Sequence, residues 1–206
     1  MIGAIITADI VNSTKLSKAE YKKLEKSLSV LLEPYLHEFF RGDSFQAFVK
    51  SPNDALRLLL LLRTAAIKIS SGEAIADIRS SVGISAVKLP VKSLKTASGE
   101  AFVLSGRAFD KMTKGERLAI VCDEKNKAVN LGLKLIAQFI DFIFQRLTVK
   151  QAAVVFELLM KSTQIEAAKK LKKSQATVHK HTQAAGWPQI EMLLQDYENL
   201  IPLIES

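Results

Sequence analysis

QIEAAKKLKKSQATVHKHT, residues 164–182, has the layout of two short helices joined by a tight turn. Ile165, Ala168 and Leu171 have the spacing of one buried helical face, and Val178 falls where a second helix packs back onto it. Ser174 suits the N-cap of that second helix, because its hydroxyl can accept from a backbone N–H in the first turn. The spacing therefore predicts a helix-turn-helix. Beyond the cap, Gln175, Ala176, Thr177, Lys180 and His181 are expected to face outward, small or polar side chains able to reach base edges. Lys169, Lys170, Lys172 and Lys173 crowd the turn where a DNA backbone would run. The competing reading is a solvated, lysine-rich hairpin within an ordinary helical bundle.

Charge points the same way. The chain carries +8 at neutral pH, which favours an anionic partner. From Lys161 to His181 six lysines stand against the single acid Glu166. From Thr182 onward there are four acids (Glu191, Asp196, Glu198 and Glu205) and no Lys or Arg. Such segregation suggests a directed anion-binding face.

Working back from the basic hairpin, Thr148 caps an expected helix over 149–161, the first of the C-terminal domain. Residues 124–147 form a long helix with two apolar stripes, one of Val129, Leu133, Ile136, Ile140 and Ile143, the other of Leu131, Leu135, Phe139 and Phe142. A helix apolar on two sides is expected to be buried on two sides, as an interdomain joint or a dimer seam. Further back, the pattern alternates: a strand over 2–10, a helix opened by the capping box Ser17–Glu20 and stopped by Pro34, a hairpin over 35–50 with its turn at Arg41-Gly42-Asp43-Ser44, a helix started by Ser51-Pro52, a strand over 76–87, a helix over 98–112 and a strand over 117–122. This order predicts an α+β fold: a ferredoxin-like, antiparallel-containing sheet with helices on one face, over residues 1–122, a connecting and dimerising helix over 123–147, and an all-α helix-turn-helix domain over 148–206.

Cys122 is the only cysteine, so no intrachain disulfide forms and a reducing, cytoplasmic setting is expected. No apolar run is long and uncharged enough to span a membrane, and the opening residues lack a basic n-region. His179 and His181 are two apart on a helix and cannot chelate one metal.

Asp9 ends the first strand and Asp43 sits in the hairpin turn, a pair of carboxylates that one sheet edge can bring together over a divalent cation and a phosphate chain. The other reading is that Asp9 caps a loop and Asp43 makes a turn. Three segments, Asp9-Ile-Val-Asn-Ser-Thr14, Arg41-Gly-Asp-Ser-Phe-Gln-Ala-Phe48 and Gly99-Glu-Ala-Phe-Val-Leu-Ser-Gly-Arg107, resemble the class III nucleotidyl cyclase domain, over roughly residues 1–122. With the C-terminal hairpin, the whole chain resembles the SatD-type bacterial proteins. The cyclase resemblance implies metal ligation by Asp9 and Asp43, with Mg²⁺ and a nucleotide, and a phosphate-facing Arg107. It also exposes departures. Phe39 stands where cyclases place a base-reading lysine, Val103 where they place a transition-state asparagine, and Asn12 where the loop normally opens with Gly. Losing such donors commonly costs about two or more orders of magnitude in rate, so turnover is not expected. Three functions follow for comparison: a DNA-binding regulator, homodimeric and with a ligand-sensing or assembling sheet domain; a nucleotide-dependent enzyme with an accessory helical domain; and a scaffold.

Overall fold

The computed structural model describes residues 1–40, 42–71, 74–91, 93–95 and 97–204. Arg41 of the expected hairpin turn and Glu205 of the acidic tail lie outside the described residues. The fold is α+β. Five strands, β1 (Ile2–Val11), β2 (Leu36–Phe40), β3 (Ser44–Val49), β4 (Asp77–Ala86) and β5 (Leu118–Cys122), form one sheet in the order β2-β3-β1-β4-β5. All pairs are antiparallel except β4–β5, so the sheet is mixed. Eight α-helices complete the described residues: α1 (Lys18–Leu32), α2 (Asn53–Ile69), α3 (Glu100–Lys111), α4 (Lys127–Phe144), α5 (Val149–Leu159), α6 (Gln164–Leu171), α7 (Gln175–Ala184) and α8 (Trp187–Leu200).

Local chemistry accounts for most boundaries. Ser17 and Glu20 cap α1 reciprocally, as expected, and Thr148 with Gln151 does the same for α5. Thr163 and Glu166 form a third such box at the start of α6, a Thr-x-x-Glu pattern of the same kind. The helix expected from 124 begins at Lys127, after a turn in which the Asn126 N–H reaches the Asp123 carbonyl.

The sheet does not carry its helices on one face. Even-numbered residues of β1 (Ala4, Ile6, Ala8, Ile10) join the core with Leu24 and Leu28 of α1 and Leu59 of α2. Odd-numbered Ile5 joins a second cluster with Phe48, Val87 and Ala101, under α3. A Cβ at Gly83 would strike the Ala101 carbonyl and the Ser105 amide, so the glycine is what lets α3 lie this close to β4. Ser105 donates to Thr7 (2.8 Å) and Ser81 donates to the Ser105 carbonyl (2.7 Å), which satisfies the polar groups trapped beneath it.

The main core continues from the sheet into the C-terminal helices without a break. Arg57 on α2 donates to the Leu159 carbonyl (3.3 Å) and the buried Tyr197 hydroxyl on α8 to the Pro52 carbonyl (2.7 Å). At the centre lies Arg63, fully buried, paired with Asp77 (2.8 Å) and Asp141 (2.6 Å) and stacked over Phe144. Burial works against its charge, but the two carboxylates outweigh it and hold the guanidinium above its ordinary value. Asp141 also accepts from the Arg117 and Leu118 amides (2.8 and 3.1 Å), so one carboxylate ties α4 to α2 and to the start of β5.

Within the chain, helix α4 is buried on one side. Val129, Leu133, Ile136 and Ile140 are buried, whereas Leu131 (60%), Leu135 (48%), Phe139 (58%) and Phe142 (57%) are exposed. Sequence periodicity marks both stripes as apolar, but among the described residues only one stripe of α4 is covered. Among the described residues no helix is long and apolar enough to cross a membrane.

Candidate nucleic-acid interface

Helices α5, α6 and α7 pack on one another around Val154, Val155, Ala167, Ala168 and Val178. Ala168 is buried as expected, but Ile165, expected beside it, is 53% exposed and Ala167 makes the contact instead, because small side chains let the short α6 approach its neighbours closely. Lys172 closes α6 in the left-handed conformation (φ 52°), and Ser174 accepts from the Thr177 amide to start α7. The turn therefore spans Lys172, Lys173 and Ser174, all exposed.

The outward face of α7 differs in part from the one expected. Gln175, Ala176 and Lys180 are exposed, as expected, but Thr177 and His181 are half-buried. The Thr177 hydroxyl lies 2.8 Å from that of Ser174, so the cap draws it inward. His179 and Gln183 are exposed and complete a continuous stripe with Gln175, Ala176 and Lys180, one turn apart on one side of the helix. Counting from buried Val178 and Thr182, both on the inner side, would have found them. Gly186 (φ 68°) ends α7, and Trp187 opens α8 with its ring buried, so it anchors the core.

The four lysines are not equivalent. Lys169, Lys172 and Lys173 are exposed. Lys170 pairs with Glu157 of α5 (3.0 Å) and donates to Ser162 (2.9 Å), so its charge is already engaged within the fold. Glu157 stands in the preceding helix, and nothing in the local spacing of the lysines signals this pairing.

Asp9 and Asp43 lie at the same end of the sheet but have different partners. Asp9 accepts from Arg79 on β4 (2.7 Å), whose guanidinium stacks over Phe109. Asp43 accepts from Ser13 (3.2 Å), and its carbonyl from the Ile10 amide. These residues fit a divalent ion poorly as they stand, since the cation Arg79 already holds the Asp9 carboxylate. Asn12 supplies the left-handed backbone (φ 59°) that a glycine would give and donates to the Ile75 carbonyl. Phe39 rests against Phe45 on the α1 side of the sheet, away from the Asp9 face. On the Asp9 face a concavity of about 440 Å³ is lined by Thr7, Phe40, Ser44, Gln46, Lys95 and Phe109. Arg107 is not part of it. It lines a separate groove with Lys111, Asp123 and Lys127, between α3 and the start of α4, because it leaves α3 on a different side from Phe109.

The chain matches no protein-family model and no curated protein.

Proposed function

We propose that the protein binds duplex DNA through α6 and α7, as a regulator whose sheet domain serves assembly or ligand sensing. The observation that carries this reading is the exposed stripe Gln175, Ala176, His179, Lys180 and Gln183, bordered at the turn by Lys169, Lys172 and Lys173. In this reading α6–α7 is a helix-turn-helix, with α7 in the major groove, its first-turn residues at base edges and the lysines on phosphates. Ser174 is both cap and phosphate neighbour. The resemblance to SatD-type proteins, and a ferredoxin-like or cyclase-like origin of the sheet, belong to the same proposal, as does a cytoplasmic setting. The test is fluorescence anisotropy with random-sequence duplex at low salt, followed by selection from genomic fragments. Affinity that rises as salt falls supports the reading, and no binding at low salt removes it.

A second reading, binding of a nucleotide, rests on the concavity beside Asp9. Its size suits a base, with Phe40 and Phe109 rings for stacking, Gln46 and Thr7 for hydrogen bonds and Lys95 for a phosphate. Titration calorimetry with ATP and GTP, with and without Mg²⁺, tests it. Heat that is lost in Phe109→Ala supports it, and no heat with either nucleotide refutes it.

A further inference from the structure

We propose that the exposed stripe of α4 pairs with the same stripe of a second copy, in parallel, about a two-fold axis running along the helix. Leu131, Leu135, Phe139 and Phe142 follow one another at intervals of four, four and three residues, directly opposite the side that buries Leu133, Ile136 and Ile140. The helix carrying them is rigidly placed, since Asp141 on its inner side is held by Arg63 and by two amides of the β5 start. A well-anchored helix with a row of exposed large apolar side chains, the last of which, Phe142, has the Arg146 guanidinium stacked on its ring, is an interface waiting for a partner.

Area and charge identify the partner. The four side chains expose on the order of 400 Å² per copy, about half of the roughly 800 Å² per partner of a standard interface, so the flanks of α4 must contribute the rest. Those flanks are unlike. On one side Lys134 and Gln138 border the groove toward β5. On the other α8 is seated, where a Cβ on Gly132 would press on Leu200 and exposed Asp196 lies one turn before Leu200 on the same side of its helix. A parallel pair sets the Lys134 flank of each copy against the Asp196 flank of the other, whereas an antiparallel pair sets like flanks together. A second copy of this chain therefore supplies both the matching apolar row and the complementary charge.

The parallel choice deepens the DNA reading and rests on it for its consequence. Gly186, between α7 and α8, packs near Ile143 at the C-terminal end of α4. Pairing along α4 therefore puts both α7 helices at one end of the dimer, symmetric about the axis, where one duplex with two half-sites can lie across them.

The test uses the full chain without DNA. Light scattering should give twice the monomer mass at tens of micromolar, and Phe139→Glu should give the monomer with unchanged helical circular dichroism. Leu135→Lys is the second such variant should Phe139→Glu not fold. Lys134→Glu should weaken dimerisation by roughly tenfold through its two symmetric flank pairs, and adding Asp196→Lys should restore it. Phe142→Cys should form a disulfide with its own copy on oxidation. The native Cys122 stays out of this reaction, buried and with its thiol pushed up to about 11 chiefly by burial. A monomeric parent chain overturns the proposal. So does a Phe139→Glu dimer, or cross-linking of Phe142→Cys to Leu131→Cys in place of itself. A dimer with no DNA affinity supports this inference while removing the DNA reading, and a DNA-binding monomer does the reverse.

Discussion

The sharpest consequence of the geometry is that the four turn lysines should act unequally on DNA. Lys169, Lys172 and Lys173 are exposed beside the α6–α7 turn and Lys180 stands on the exposed stripe, giving four exposed ammonium groups per copy. Lys170 is engaged by Glu157 and Ser162. Each phosphate neutralised contributes about 0.9 to the slope of log affinity against log salt, so four contacts give a slope near −3.6 per copy and about −7 for two copies on one site. A fourfold rise in salt should then weaken the binding of one copy roughly 150-fold. Anisotropy titrations across a salt series read the slope directly. Lys172→Ala or Lys173→Ala should flatten it by about 0.9 per copy, on any sequence. Lys170→Ala should leave it unchanged. Gln175→Ala should alter preference among sequences with little effect on slope, because an amide reads bases without releasing counterions. A parent slope near zero, or a Lys170→Ala variant that flattens it as much as Lys172→Ala, would refute the reasoning.

Stability should be sensitive at the joint between sheet and helices. Asp141→Ala leaves a fully buried guanidinium with one carboxylate and two amides with no acceptor; thermal unfolding should show a loss of about 3–5 kcal/mol, with Asp141→Asn less severe. Gly83→Ala drives a methyl into the backbone of α3, and denaturant titration should show a loss of at least about 1–3 kcal/mol. Lys68, over the Phe156 ring, is pushed down to about 8 chiefly by burial. The unfolded chain therefore binds the extra proton between about pH 8 and 10.5, so the Lys68 contribution makes stability rise with pH from about 8, and above about pH 9 the Cys122 thiol, which the unfolded chain ionises first, offsets it. Lys68→Met should remove that rise in a series of melts, and a rise that persists in the variant would assign it elsewhere.

The parts of this protein legible in its sequence are those made by residues close together in the chain. Capping boxes act over three residues, Pro34 ends a helix where it stands, and alternation marks strands, so the order of strands and helices through β5 was readable from one end to the other. The basic turn and the cap at Ser174 belong to the same class. What the tertiary structure alone decided involves partners far apart. Arg79 reaches Asp9 across 70 positions and Arg63 reaches Asp141 across 78, pairings that no local pattern encodes. Glu157 engages one lysine of four that look alike in sequence. The two stripes of α4 are equally apolar as written, and only the packing of the chain on one side of that helix leaves the other in water. Helix α3 crosses to the second face of the sheet because Gly83, a residue unremarkable in its own strand, admits it there. Periodicity tells which side chains share a face, but burial of that face depends on what the rest of the chain brings to it.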